Sequence, residues 1–264
     1  MIQYQSDLIT VFQSELYQTT STVIEGKKAI VVVDPTWLPN EVAKIRQYVN
    51  ERINNKQLYL VLTHNDFDHI IGAGAFPEAI IIASEKFTNY PHKQSILDEI
   101  NEFDQMFYLT RPYEIIYPKV NIIINKHQTN LQLGDLNCIF YLAPGHTDDG
   151  LFFYIKKLNT LIVGDYLSDI EFPFITSSYS DYVQTVYLMQ EVTKNYTTEL
   201  LIPGHGKVTS NYAERIKFSL DYLEKIKEPV NIEKQLMKRF PFYEGMKSSH
   251  QNNLKLVRRS GKFD

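Results

Sequence analysis

Residues 63–72 read THNDFDHIIG and follow the apolar run LYLVL. His64, Asp66, Asp68 and His69 thus place two imidazoles and two carboxylates within six positions. Imidazole nitrogens and carboxylate oxygens are side-chain donors that bind zinc, iron and manganese. Three more such side chains follow apolar runs farther along: His146 in FYLAPGHTDDG, Asp165 in NTLIVGDYLSD and His205 in ELLIPGHG. Strand ends are rigid and the loops after them converge, so four strand ends can bring these seven donors to one place. One ion takes three or four protein ligands. Seven suit two ions about 3.5–4 Å apart, bridged by a carboxylate and a hydroxide, which is a hydrolytic arrangement. Asp165 is the bridging candidate on its own strand end.

The elements that must hold these residues read as layered α/β structure. LITVF and STVIEG look like short strands, and KKAIVVVDP is a β-branched run stopped at Asp34-Pro35. In NEVAKIRQYVNERI, Val42, Ile45, Val49 and Ile53 recur at intervals of three and four, which predicts a helix with Asn40 as its cap. QLYLVL returns to strand, and strand, helix, strand argues for an α/β layer. After AIIIAS, residues about 85–118 are helix-prone, aromatic and bounded by prolines, and read as an insertion over the core. NIIIN, NLQLGD, LNCIFYLAP, NTLIVGD and ELLIPGHG read as further strands, and DYVQTVYLMQEVTK and AERIKFSLDYLEKIKE as helices. The polar, basic stretch KSSHQNNLKLVRRSGKFD reads as a solvated tail.

A chain of 264 residues suits one large domain, or one domain with an appendage, and its 44% hydrophobic content can fill a sizeable core. The net charge of −4 gives no global attraction to nucleic acid or anionic membrane, and there is no broad basic arm before residue 240 to grip RNA. No stretch approaches the roughly 18 apolar residues of a membrane span. A single cysteine rules out an internal disulfide and fits a reducing compartment. The first residues, MIQYQSDLITVF, lack a basic start followed by an apolar run, so the expected location is the cytoplasm. Cys138 alternates with Leu136 and Phe140 and reads as packing rather than as a nucleophile.

THNDFDHIIG, APGHTDDG, VGDYLSD and IPGHG, in this order, resemble the motifs of the metallo-β-lactamase superfamily, whose first motif is usually His-x-His-x-Asp-His. The resemblance implies a four-layer αββα sandwich with the metals at one edge. It places a catalytic domain over residues 1–215, which contains the helical insertion read at about 85–118; residues 216–264 lie outside the resemblance and are expected to form a C-terminal helical and basic extension packed on that domain or extending from it. It also implies that His64, Asp66 and His146 hold a first metal, that Asp68, His69 and His205 hold a second, and that Asp165 bridges them. In hydrolytic members a hydroxide at the metal pair attacks the substrate, and Asp68 would handle a proton for the leaving group. Zinc is the common metal of the family. Asp66 departs from the pattern by standing where the second histidine is expected. The swap adds a negative charge and a harder donor, which favours iron or manganese.

The leading expectation is therefore a dinuclear metallo-hydrolase acting on a small molecule with an ester, lactone or thioester bond. A phosphodiesterase is the nearest alternative. A diiron redox protein is another, because flavodiiron proteins resemble this chain in having a carboxylate at the position of Asp66. A non-catalytic binding module is a third, although such modules usually lose ligands. Phe103, Phe107, Tyr108, Tyr113 and Tyr117 in the insertion could line a substrate pocket, form a satellite core or make a homodimer surface. Phe172 and Phe174 stand nearer the metal motif and are better pocket candidates, and Tyr179 or Tyr182 could donate to an oxyanion. His92, His127 and His250 lack partner spacing and read as ordinary surface or hydrogen-bonded residues. Asp148 and Asp149 read as turn caps.

Overall fold

The computed structural model describes residues 1–260. Two twisted sheets lie face to face with helices on both outer surfaces, the αββα arrangement expected. The first sheet runs in chain order: β1 (Ile2–Gln5), β2 (Ile9–Gln13), β3 (Thr20–Glu25), β4 (Ala29–Val33), β5 (Gln57–Val61), β6 (Ile80–Ser84) and β7 (Ile122–Ile124). Its first four strands are antiparallel neighbours, and from β4 onward the pairs are parallel. α1 (Pro39–Ile53) makes the β4–β5 crossover, and α2 (Phe67–Ile70), α3 (Glu85–Thr88) and α4 (Lys93–Met106) lie on the same side. The second sheet holds β8 (Thr129–Leu133), β9 (Leu136–Leu142), β10 (Leu151–Ile155), β11 (Thr160–Ile162) and β12 (Leu200–Ile202). α5 (Tyr179–Asn195) connects β11 to its parallel neighbour β12, and α6 (Tyr212–Lys225), α7 (Glu233–Arg239) and α8 (Tyr243–Ser260) follow.

Side-chain alternation explains why several strands are apolar throughout. On β4, Ile30 and Val32 face α1, while Val31 and Val33 face the other sheet. On β9, Cys138 and Phe140 point into the layer between the sheets, and Ile139 and Tyr141 point outward under α5. β10 does the same with Phe153 and Ile155 inside and Phe152 and Tyr154 outside. A strand buried on both faces must be apolar at every position. Cys138, 1% exposed, is indeed core, and burial pushes its thiol up to about 12.

The structure departs from the sequence expectations at several elements. α1 starts at Pro39 and not after Asn40. Leu38 is its cap residue, and its N–H donates to the Glu41 carboxylate at 3.0 Å. Proline at the first helical position needs no N–H partner, so the helix can begin one residue before the expected cap. β1 and β10 have no counterpart in the sequence reading. The stretch from Lys247, expected as a solvated tail, continues α8 as far as Ser260. α8 buries His250 and Asn253, at 5% and 1% exposure, against the second sheet's helix layer, while residues 261–264 lie outside the described residues. Polar residues spaced along one helix face mimic a solvated segment when their partners are far away in sequence.

Phe140 and Phe153 stack across the inter-sheet layer with centroids 4.9 Å apart, and neither is exposed. Phe140→Ala is expected to lower unfolding free energy by about 3–5 kcal/mol in a denaturant titration. The same truncation at Ile123, 45% exposed, should stay within about 0.5 kcal/mol.

Candidate metal centre

Strand register brings the functional side chains to one edge. In the first sheet Val33 pairs with Val61, so Asp34 and Thr63 emerge together. In the second sheet Ile162 pairs with Ile202, so Asp165 lies beside Gly204 and His205. The two sheets are tied at this edge by Leu151 N–H donating to Thr63 O at 2.7 Å and Thr20 N–H donating to Gly204 O at 2.7 Å. The glycines before His146 and His205 are steric necessities. A Cβ on Gly204 would lie 2.1 Å from Asp165 Oδ1, and one on Gly145, whose φ is +130°, would lie 2.3 Å from the Tyr182 backbone.

All seven predicted donors converge. His64, Asp66, His146 and Asp165 form one cluster, and Asp68, His69 and His205 form a second. In the first, His146 Nε2 is 3.2 Å from Asp66 Oδ2 and 3.3 Å from Asp165 Oδ2. His64 Nε2 is 3.7 Å from Asp66 and 3.5 Å from Asp165. In the second, the Nε2 atoms of His69 and His205 are 3.3 Å apart, and each is 3.5 Å from Asp68 Oδ2. Asp165 reaches both clusters: Oδ1 lies 3.0 Å from His69 and Oδ2 lies 3.2 Å from His205. Donors about a tetrahedral ion with bonds of roughly 2.0–2.2 Å stand roughly 3.3–3.6 Å from one another, so both clusters have the edge lengths of a metal cage.

The other ring nitrogen of every histidine is already committed. His69 Nδ1 pairs with Asp34 Oδ2 at 3.1 Å, and His146 Nδ1 with Phe174 O at 2.8 Å. His205 Nδ1 pairs with Tyr17 O at 2.9 Å, and His64 Nδ1 with Thr63 Oγ1 at 2.9 Å. Thr63 Oγ1 in turn donates to Asp34 Oδ2 at 2.6 Å, and Thr63 N–H donates to Asp34 Oδ1 at 2.9 Å. Asp34 therefore orients one imidazole of each cluster. With a proton on Nδ1, each ring would present its Nε2 lone pair inward to a cation. His64 Nε2 and Asp165 Oδ1 are buried with no hydrogen-bond partner, as atoms reserved for a cation would be. Divalent metal ions fit this set.

Charge argues the same way. Asp66, Asp68 and Asp165 have only histidines as ion-pair partners among the described residues. Burial opposes it, yet Asp165 and Glu171 raise His205 to about 10. His69 and His146 are raised in the same way by Asp165 with Asp68 or Asp66, against burial. The carboxylates thus favour positive charge at these rings, as they would at a bound cation.

Several residues here had no signal in the sequence reading. Asp34 looked like a strand stop. Glu171 lies 4.0 Å from His205 Nδ1, and burial pushes its carboxyl up to about 6 against the pull of His205. Asp149, taken for a turn cap, is 4% exposed with an unpartnered oxygen, and burial pushes it up to about 6 as well. Asp148 is on the surface and pairs with Lys86. Of the pocket candidates, Phe172 is core, 2% exposed among Tyr222, Phe240 and His250. Tyr179 is committed to Leu223 O at 2.8 Å, and Tyr182 is buried, 1% exposed, against Tyr166. Phe103 stacks on Trp37 at 4.7 Å, while Phe107 and Tyr108 are exposed.

Residues 15–213 match the model of the metallo-beta-lactamase superfamily. The chain belongs to that superfamily. Its similarity to curated members is distant. It is 23% identical over 200 residues to the metallo-beta-lactamase type 2 of Bacillus sp. (strain 170), covering 75% of this chain and 70% of that protein. Against the protein of the same description from Bacillus cereus the identity is 22%, over the same shares of the two chains. Among solved structures, an archaeal superfamily protein from Sulfolobus tokodaii aligns with 97% of this chain and 100% of its own, at a TM-score of 0.59 and 16% identity. A stereoselective inverting sec-alkylsulfatase from Pseudomonas sp. aligns with 89% of this chain and 43% of its own, at 0.69 and 14%. These likenesses establish the fold. Superfamily members bind divalent metals, and the two clusters supply candidate groups for them.

Asp34 belongs to neither cluster, yet it contacts His69 directly and His64 through Thr63. Asp34→Ala is expected to weaken metal binding roughly 10- to 100-fold in a competition titration with a chromophoric chelator. An unchanged affinity would mean that the histidines are held by packing alone.

Proposed function

We propose that the protein is a dinuclear metal-dependent hydrolase that cleaves an ester, lactone or thioester bond in a small-molecule substrate. His64, Asp66 and His146 would hold one ion, Asp68, His69 and His205 the other, and Asp165 would join them. The observation that carries this reading is Asp165, within 3.0–3.5 Å of all four inward-facing imidazole nitrogens. Divalent ions held in this way polarise a carbonyl oxygen and make water a nucleophile near neutral pH.

The chain's own residues supply the rest. The Nδ1 partners keep four Nε2 atoms aimed inward, so the site is organised before substrate arrives. Asp68 is 14% exposed, with Thr19 Oγ1 3.5 Å from its Oδ2, and is the carboxylate proposed to pass a proton to the leaving group. Asp66 is the most exposed member at 37%, so the first cluster faces the solvent from which substrate would come. Its Oδ2, 3.2 Å from His146 Nε2, would fill a ligand position and supply a negative charge that an imidazole would not. Two divalent ions and a hydroxide would then sum with three carboxylates to about zero, which would weaken the Lewis acid and favour iron or manganese over zinc. That carboxylate is also the one feature favouring a diiron redox reading. A reducible diiron absorbance in the purified protein, with no hydrolysis across the panel below, would select it.

A panel of lactones, thioesters, carboxylic esters and phosphodiesters tests the assignment. Hydrolysis of a member of the first three classes is expected, with loss to the uncatalysed background in Asp165→Ala. Turnover confined to phosphodiesters would overturn the substrate class. Asp66→His should shift bound metal toward zinc in elemental analysis after growth with zinc, iron and manganese all replete, with the circular dichroism spectrum unchanged. An identical metal profile would remove Asp66 from the ligand set. Asp68→Asn should lower kcat by roughly 10²–10⁴-fold on an ester with a poor leaving group, and by much less on an activated aryl ester. Equal losses on both would assign Asp68 to metal binding alone.

A further inference from the structure

α8 lies well beyond residues 15–213, the part of the chain that matches the superfamily model, yet it reaches the metal centre through one peptide group. The carbonyl oxygen that accepts the Nδ1 proton of His146 belongs to Phe174, at 2.8 Å. That carbonyl shares its peptide plane with the N–H of Ile175, which donates to Asn253 Oδ1 at 3.1 Å. The same amide's Nδ2 donates to Pro173 O at 2.6 Å, so Asn253 grips the peptide groups on both sides of Phe174. A trans peptide is planar with its C=O and N–H pointing in opposite directions. Fixing the N–H from one side therefore fixes where the carbonyl points on the other. Each bond in such a chain also polarises the next.

Asn253 is itself immobilised. It is 1% exposed, and its Nδ2 also donates to Tyr222 OH at 2.8 Å. The Tyr222 hydroxyl is thereby free to donate to His250 Nδ1, 3.0 Å away. Burial lowers the affinity of His250 for a proton, consistent with its acceptor role. On the metal side, His146 N–H donates to Tyr166 OH at 3.0 Å, and its carbonyl accepts from Thr176 N–H at 2.9 Å and from the Thr176 hydroxyl. The backbone of His146 is thus held by neighbouring loops, whereas its ring is held by Phe174 O at Nδ1 and by Asp66 and Asp165 at Nε2.

We infer that Asn253 is a positioning residue for the metal centre, setting the ring of His146 through the Phe174–Ile175 peptide, so that α8 is a working part of the site. This rests on the assignment of His146 as a metal ligand. The helix would serve this chain as a clamp on one edge of the first cluster.

Two readouts on the full chain test it: the dissociation constant for Co²⁺ with its ligand-field spectrum, and solvent exchange of the His146 Nδ1 proton by NMR in chelator-treated protein. The NMR resonance is assigned by its loss in His146→Ala. Asn253→Ala is expected to weaken Co²⁺ binding roughly tenfold or more and to speed exchange of that proton. Met246→Ala, a truncation elsewhere on α8, should lower stability but leave both readouts unchanged. The inference is overturned if Asn253→Ala matches the parent in both readouts, or if Met246→Ala shifts them equally. Should Asn253→Ala fail to fold, Asn253→Ser, too short to reach Ile175 N–H, takes its place with the same outcomes. A parent protein that binds no stoichiometric Co²⁺ sinks the metal assignment instead, while the exchange measurement still reports on the clamp.

Discussion

Burying carboxylates where no lysine or arginine reaches them is costly unless something positive comes to meet them. Asp165 sits in that position, 9% exposed and ringed by the imidazoles of His64, His69, His146 and His205. Asp66 and Asp68 add two more negative charges within the same few ångströms. The neighbouring carboxylates raise the proton affinities of His64, His69, His146 and His205 despite burial, the same pull that a cation would answer. The demand for positive charge organises everything around it. Nδ1 protons are sent outward to Asp34, Thr63, Phe174 and Tyr17, and Nε2 atoms are kept inward.

The sandwich meets this demand by register. Parallel pairing of β4 with β5, and of β11 with β12, ends two strand pairs at one level in each sheet. Loops from both sheets then open onto a common edge. Apolar alternation locks the registers, since a one-residue slip would turn Val31 and Val33 out of the inter-sheet layer and bring Ile30 and Val32 in, with Asp34 moved away from Thr63. Rigid strands and steric requirements at Gly145 and Gly204 leave little freedom to the metal-facing side chains. Asp66 stands at the head of α2 with its side chain uncommitted to capping, so its carboxylate is available to the cluster.

Legibility in the sequence followed distance along the chain. His64, Asp66, Asp68 and His69 are crowded into one loop, and His146 and His205 each follow a strand and a Pro-Gly pair, so local spacing was enough to mark them. The strands that carry them were legible because burial on both faces leaves an unbroken apolar run. Asp34 was not, because its partners stand about thirty residues away and nothing near it is unusual. Asn253 was hidden more deeply. Its role depends on Pro173 and Ile175, 80 and 78 residues distant, and a polar helix facing a backbone segment looks the same in sequence as one facing water. The aromatic insertion was only half legible: Phe103 is tied to Trp37, whereas Tyr108 is 95% exposed.

Anomalous diffraction from crystals of the metal-loaded protein tests the central claim most directly. The account predicts two anomalous peaks roughly 3.5–4 Å apart, one among His64, Asp66 and His146 and the other among Asp68, His69 and His205, with Asp165 touching both. A single peak, or peaks remote from the four Nε2 atoms, would contradict it.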